Sequence, residues 1–192
     1  MSDFHFPADV PTKPFLEEVT SVYGGRGSGK TTKAKSLVVE NNPPQVVWID
    51  PTLQADTSPA EFVEAINRGD RMVQVGATHP DAAVAALLTT FGLSTKKRPL
   101  YVVCDEAASY LKIPRPSLSR VFNMGRHAGM GVLLITQRPS GIHPDFRGQA
   151  ARTYWGRLTD HNDIALASQA LGKEQGQSRA EAKVGDFIEK TA

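Results

Sequence analysis

Cysteine is almost missing from this chain. Cys104 is the only one, which excludes a disulfide framework and any metal site built from several cysteines. Long apolar runs are missing too. The longest are four or five residues, as in Val132-Leu133-Leu134-Ile135, against the roughly 20 that a membrane span needs. The N-terminus, Met1-Ser2-Asp3-Phe4-His5, has neither a basic flank nor an apolar signal core. There is no internal repeat and no low-complexity tract. Apolar residues at 40% and charged ones at 22% exclude disorder, collagen and coiled coil. At 192 residues a chain can form one domain that buries about two-thirds of its unfolded surface without covalent staples. The expectation is a soluble, cytoplasmic protein of a reducing compartment. An extended arm is expected over residues 1–15, where Pro7, Pro11 and Pro14 fall, followed by one domain over 16–192.

Net charge is small, but it is unevenly spread. Eight basic residues (Lys112, Arg115, Arg120, Arg126, Arg138, Arg147, Arg152, Arg157) face one acid, Asp145, so the 112–157 window carries +7 while the whole chain carries +2. One-sided charge suits a polyanion, whether nucleotide phosphates or nucleic acid; a solvated face with scattered arginines reads the same way.

Short runs rich in valine and isoleucine, not alternating, predict strands covered on both faces at Val19–Tyr23, Val46–Ile49, Met72–Val75, Leu100–Cys104 and Val132–Thr136. Helical patterns alternate with them. Ser58-Pro59-Ala60-Glu61 is a capping box, with Phe62, Ala65 and Ile66 on the apolar face and Gly69 as the stop. Pro80 opens a helix that carries Val84, Leu87, Leu88 and Phe91 inward and closes at Gly92. Ser117 is the cap expected for a third, with Leu118, Val121 and Phe122 inward. A strand at Thr153–Leu158, a helix near Asn162–Leu171 and a strand at Val184–Ile188 would extend the pattern. The alternation predicts an α/β domain, with an open, mostly parallel central sheet flanked by helices on both faces.

The chemistry is concentrated at strand ends. Gly24-Gly25-Arg26-Gly27-Ser28-Gly29-Lys30-Thr31 fits the phosphate-binding P-loop, preceded by an apolar strand and followed by the helical run from Thr32 to Glu40. Glycines let the backbone turn tightly and aim N–H groups at phosphate oxygens, and the helix N-terminus adds its dipole. The nucleotide-binding set is therefore Gly25, Arg26, Gly27, Ser28, Gly29, Lys30, Thr31 and Thr32. Lys30 would reach the β- and γ-phosphates of ATP, and the Thr31 hydroxyl would bind Mg²⁺.

Leu100-Tyr101-Val102-Val103-Cys104-Asp105-Glu106 is a buried strand ending in two acids. Asp105 is in place to hold Mg²⁺, and Glu106 to take a proton from an attacking water. The run from Gly131 to Thr136 delivers Gln137 to a strand end, where it can bond the lytic water and the γ-phosphate. Asp50 also ends a strand, with a turn-forming role as open as a functional one. His127 and His143 read as structural.

Taken together, Asp50-Pro51, the P-loop, Asp105-Glu106, and Gly125-Arg126-His127-Ala128-Gly129 leading into Ile135-Thr136-Gln137-Arg138-Pro139 resemble the FtsK–HerA superfamily of DNA-pumping ATPases. Arg157-Leu158-Thr159-Asp160-His161-Asn162-Asp163 and Val184-Gly185-Asp186-Phe187 are similar to its arginine-bearing and closing segments. The likeness runs from Val19 to Ile188. The compact size is most similar to the genome-packaging ATPases of membrane-containing viruses.

The resemblance implies a three-layer P-loop NTPase of the additional-strand, catalytic-glutamate type. It also implies a ring, of six subunits, that threads double-stranded DNA into a preformed capsid. Further partners would be capsid-vertex or membrane proteins of a virion, and the setting the host cytoplasm and the packaging vertex. A neighbour's arginine would complete each ATP site, with Arg157 and Arg152 as candidates and Arg126 as a third. Arg115 and Arg120, or the loops 107–115 and 138–149, would meet DNA.

Alternatives stay open: a small cellular HerA- or FtsK-like pump, or a nucleotide-gated assembly protein with little turnover. A GTPase lacks support, because no guanine-reading Asn-Lys-x-Asp is present, and Glu106 is out of place for a nucleotide kinase.

Overall fold

The computed structural model describes residues 17–192, so the arm expected over 1–15 lies outside the described residues. The strands are β1 (Val19–Tyr23), β2 (Val46–Asp50), β3 (Met72–Gly76), β4 (Leu100–Cys104), β5 (Met130–Thr136), β6 (Ala150–Trp155) and β7 (Ile188–Thr191). The helices are α1 (Lys30–Asn41), α2 (Pro59–Arg68), α3 (Pro80–Leu93), α4 (Pro116–Met124), α5 (Pro144–Arg147), α6 (His161–Leu171) and α7 (Lys173–Ser178). Among the described residues one sheet forms, in the order β3-β2-β4-β5-β1-β6-β7. All pairs are parallel except β6 with β7.

The expected α/β architecture is borne out, and so is its additional-strand character: β5 lies between β1, which leads into the P-loop, and β4, which leads into the acid pair. Every residue of β1, β4 and β5 is buried. This is why these strands read as continuous apolar runs rather than alternating ones. One face packs Tyr23, Val102, Leu134 and Trp155 under α2–α6, and the other packs Val22, Tyr101, Val103 and Ile135 under α1. Helix α1 presents Ala34, Leu37, Val38 and Asn41 to that second face, and Lys33 Nζ lies 4.5 Å from the centre of the Tyr154 ring.

Ser58 Oγ accepts the Glu61 N–H at 3.2 Å, and Gly69 ends α2 in the left-handed region. Gly92 does not end α3, which runs on to Leu93 with Ser94 as its cap. Helix α4 begins at Pro116, one residue before the expected cap Ser117, and Arg115 occupies the cap position without a side-chain capping bond to the helix. Two strands are shifted. β6 begins at Ala150, three residues early, because Ala150 and Ala151 lack the bulk that marks a strand. β7 begins only at Ile188, because Val184-Gly185 forms a turn, with Gly185 at φ +82°.

Gly129 enters β5 at φ +72°, and an added Cβ would sit 2.6 Å from the Thr95 carbonyl oxygen. Gly69 has φ +86° with no neighbour in the way. In urea denaturation, Gly129→Ala is expected to lose about 3 kcal/mol, from conformation and clash together, and Gly69→Ala only about 1 kcal/mol.

Candidate active site

The sheet register brings three strand ends to one rim. Tyr23 pairs with Thr136, and Cys104 pairs with Leu134, so Gly24, Gln137 and Glu106 all leave the sheet at its C-terminal edge. In open α/β sheets this is the ligand-binding edge. The P-loop is closed by Ser28 N–H donating to the Gly25 carbonyl at 3.1 Å, and Gly27 and Gly29 take positive φ values of 71° and 87°. Gly29 caps α1 without any side-chain bond, which leaves the first-turn N–H groups directed out of the helix, where an anion is favoured. Arg26, Gly27, Thr31 and Thr32 are exposed, while Ser28 and Lys30 are buried.

The P-loop is braced from outside by segments whose role the sequence did not reveal. Gly25 N–H donates to the Arg157 carbonyl at 2.7 Å, and Gly185 N–H donates to the Ser28 carbonyl at 3.0 Å. The Val184–Asp186 stretch, read as part of a strand, is thus a prop for the phosphate loop. No sequence signal could have found the Gly25 bond, which is made by backbone alone.

Glu106 is the focus of the rim. Lys30 Nζ lies 3.8 Å from its Oε1, and Gln137 Nε2 donates to the same oxygen at 2.7 Å. Its backbone sits at φ +44°, one of two non-glycine residues in the left-handed region among those described. Such conformations cost on the order of 1 kcal/mol or more and persist where the surroundings enforce them, often at functional sites. Asp105 accepts the Glu106 N–H at 2.9 Å. Its carboxyl is pushed up to about 6, first by burial and then by the negative charges of Asp50 and Glu106, against the lowering effect of that N–H bond. Asp50 accepts both the N–H (2.8 Å) and hydroxyl (2.6 Å) of Thr52, so the turn-forming role is the one seen. Burial pushes the Cys104 thiol up to about 12, which leaves it protonated and unreactive at neutral pH.

A divalent cation fits this edge. No group of three or more His, Cys, Asp or Glu side chains among the described residues could hold a metal alone. The Thr31 hydroxyl and the Asp105 carboxylate suit Mg²⁺, which keeps waters and takes further oxygens from phosphates. A cation there would also relieve the electrostatic penalty on Asp105.

The basic window does not form one face. Arg115 bonds Asp81 (2.8 Å), Arg138 meets Asp160 (2.9 Å) and Asp163 (3.2 Å), and Arg152 lies 3.8 Å from Glu18. Arg147 donates to the carbonyls of Pro139 and Ile142 at 3.1 Å each. Arg157 donates to the Arg26 carbonyl at 3.4 Å, within its own P-loop, and its Nε is buried without a partner among the described residues. Arg152 is paired with Thr20 in the sheet, well back from the rim. Lys112, Arg120 and Arg126 are exposed. His143 Nδ1 accepts the Asp145 N–H at 3.3 Å, a structural role as expected, whereas His127 is exposed.

Residues 99–186 match the family model described as the TraM recognition site of TraD and TraG. The DNA-packaging ATPase B204 from Sulfolobus turreted icosahedral virus superposes with a TM-score of 0.73 at 19% identity, over 92% of this chain and 93% of that one. The genome-packaging NTPase B204 of Sulfolobus turreted icosahedral virus 2, in complex with ATP-gammaS, gives a TM-score of 0.74 at 20% identity, over 92% and 93%. A probable DNA double-strand break repair helicase HerA from Methanocaldococcus jannaschii is 24% identical over 99 residues, which is 47% of this chain and 20% of that protein. This chain therefore matches only a small part of that curated relative. These findings bear out the resemblance to the FtsK–HerA superfamily.

Asp105 carries a testable signature. Because its folded-state value lies above that of an unfolded aspartate, ionisation is penalised in the folded protein. Stability falls as pH rises from about 4 through about 6. Asp105→Asn is expected to raise the thermal midpoint at pH 7.5, by an amount that shrinks toward zero below pH 4. Scanning calorimetry of both proteins without nucleotide reads this.

Proposed function

Starting from a chain with the FtsK–HerA fold, we propose that it hydrolyses ATP and uses the energy to move double-stranded DNA, as the genome-packaging motor of a virion. The observation that carries the reading is the convergence of Lys30, Glu106 and Gln137 within hydrogen-bond or ion-pair reach at the end of the P-loop. The nucleotide lies on Gly25–Thr32, with α1 facing its phosphates. Thr31 and Asp105 are the residues that would hold magnesium beside the phosphates, where the ion would supply positive charge against that building on the β- and γ-phosphates.

In the nucleotide-free arrangement Glu106 is held by both Lys30 and Gln137. When a triphosphate arrives, Lys30 exchanges Glu106 for phosphate oxygens, and the carboxylate loses its cation and becomes a better base. Glu106 then takes the proton of a water whose oxygen bonds to the γ-phosphorus, while the bond from that phosphorus to the β–γ bridging oxygen breaks and ADP leaves. Gln137 orients the water and registers the departure of the γ-phosphate.

The arginine roles separate by position. Arg157, with a buried and unpartnered Nε beside its own P-loop, serves the nucleotide of its own subunit. Arg126, exposed at the end of α4, is the group available to a neighbouring subunit in a ring, the preferred ring being a hexamer. Arg152, half-exposed, 3.8 Å from Glu18 and well back from the rim, is the weaker candidate.

Of the two loops expected to meet DNA, 138–149 is packed through Ile142 and Phe146. The other is packed through Tyr110 and Leu111, but it then projects Lys112, Ile113 and Pro114, with Ile113 64% exposed. Residues 112–115 are therefore the DNA contact of this reading. Contacts to the phosphate backbone carry no sequence information, as a motor on any sequence requires. The DNA would pass into a preformed capsid, with capsid-vertex or membrane proteins as docking partners.

Glu106→Gln is expected to cut ATP turnover by about 100-fold or more while ATP still binds, measured by phosphate release and nucleotide titration. A nucleotide-gated assembly protein would instead lose nothing measurable. Wild-type ATPase activity is expected to rise with duplex DNA, and that increment to fall steeply with salt as counterions are released. An activity indifferent to both DNA and salt would contradict the motor reading.

A further inference from the structure

Asp163 is 1% exposed in the first turn of α6, the rarest setting for a carboxylate. An unpaired charge there would be strongly disfavoured, so its partners matter. They are two. Asp163 Oδ1 accepts the Ser140 N–H at 2.9 Å, and Oδ2 lies 3.2 Å from Arg138 Nε. Arg138 is also bonded through Nη2 to Asp160, the cap of α6, at 2.9 Å. Its own N–H donates to Thr136 Oγ1 at 3.1 Å. Gln137 therefore stands between two fixed neighbours, Thr136 in the sheet and Arg138 in a double carboxylate clamp. Its amide extends from there to Glu106. The clamp also reaches the phosphate loop, because the stretch from Arg157 to Asp160 leans on Gly25 through the Arg157 carbonyl.

We infer that Asp163 is a positioning residue for hydrolysis: through Arg138 and Ser140 it fixes the strand end from which Gln137 addresses Glu106 and the attacking water. Arg138 is 59% exposed by its side chain, yet its Nε is turned inward onto a buried acid rather than out to solvent. The arrangement makes sense as a tie between the start of α6, which follows the Arg157–Asp160 stretch that leans on the P-loop, and the end of β5. Misplacing a reacting group by about 1 Å can cost about 100-fold in rate, so a tie of this kind has a catalytic consequence without touching substrate. The inference rests on the hydrolytic reading above.

The test is a double-mutant cycle on the full chain, with ATP turnover as the readout. Asp163→Asn keeps the shape and the acceptor for Ser140 but loses the charge that holds Arg138. It is expected to lower kcat by about 10- to 100-fold while KM for ATP stays within about twofold. Gln137→Ala lowers kcat as well. Because Asp163 acts through Gln137, the double variant is expected to be no slower than Gln137→Ala alone. Losses that multiply, or an unchanged kcat in Asp163→Asn, would overturn the inference.

Should Asp163→Asn fail to fold, Arg138→Gln, at an exposed position, is put through the same cycle with the same expectations. If the wild type turns over no nucleotide, the hydrolytic reading fails and takes this inference with it. If the wild type turns over ATP and the losses multiply, only the positioning role fails.

Discussion

The strand between the phosphate loop and the acid pair decides what this molecule can do. With β5 inserted between β1 and β4, the strand ends that lead into the P-loop and the acid pair are separated by two strand spacings, about 10 Å. That gap is too wide for direct contact between backbones, but side chains from both edges can meet within it. Lys30 reaches in from one side and Glu106 from the other, and Gln137, on the inserted strand, lies between them. In the proposed reaction the γ-phosphate and the attacking water would lie in the space bounded in this way. A sheet with β1 and β4 adjacent would bring the acid pair against the P-loop and leave Gln137 outside.

Electrostatics sharpen the same arrangement. Asp50, Asp105 and Glu106 place three carboxylates near the ends of two adjacent strands, and burial raises the Asp105 carboxyl to about 6. Burial disfavours the ionised form of Asp105 at this edge, and Lys30 Nζ lies 3.8 Å from Glu106. The edge is therefore primed for positive charge on one side and for phosphate on the other, where α1 and the glycine turns present N–H groups. Binding of a metal–triphosphate pair would relieve both imbalances together.

Much of this was legible in the sequence because it depends on local chemistry. The P-loop glycines, the acids after Cys104 and the glutamine after Thr136 each announce themselves by neighbours in the chain. The buried central strands are apolar enough to be read without alternation. What stayed hidden depends on contacts between distant segments. Ala150 and Ala151 give no strand signal, yet they begin β6 because β1 lies alongside, with Val19 paired to Ala150. Val184-Gly185 looks like strand but bends to support Ser28. The basic window looked like one charged face, but most of its arginines are spent on carboxylates and carbonyls scattered over the fold. Charge counts along a chain carry no information about which acids fold back to meet them.

The most direct measurement is a crystal structure of the protein with Mg²⁺ and a non-hydrolysable ATP analogue. Phosphates should lie on the backbone N–H groups of Gly27–Thr31, with Lys30 Nζ transferred from Glu106 to phosphate oxygens and the Glu106 carboxylate facing the γ-phosphate beside Gln137. A nucleotide bound away from this edge, or a Lys30–Glu106 pair left intact with the phosphates outside it, would contradict the assignment of the site.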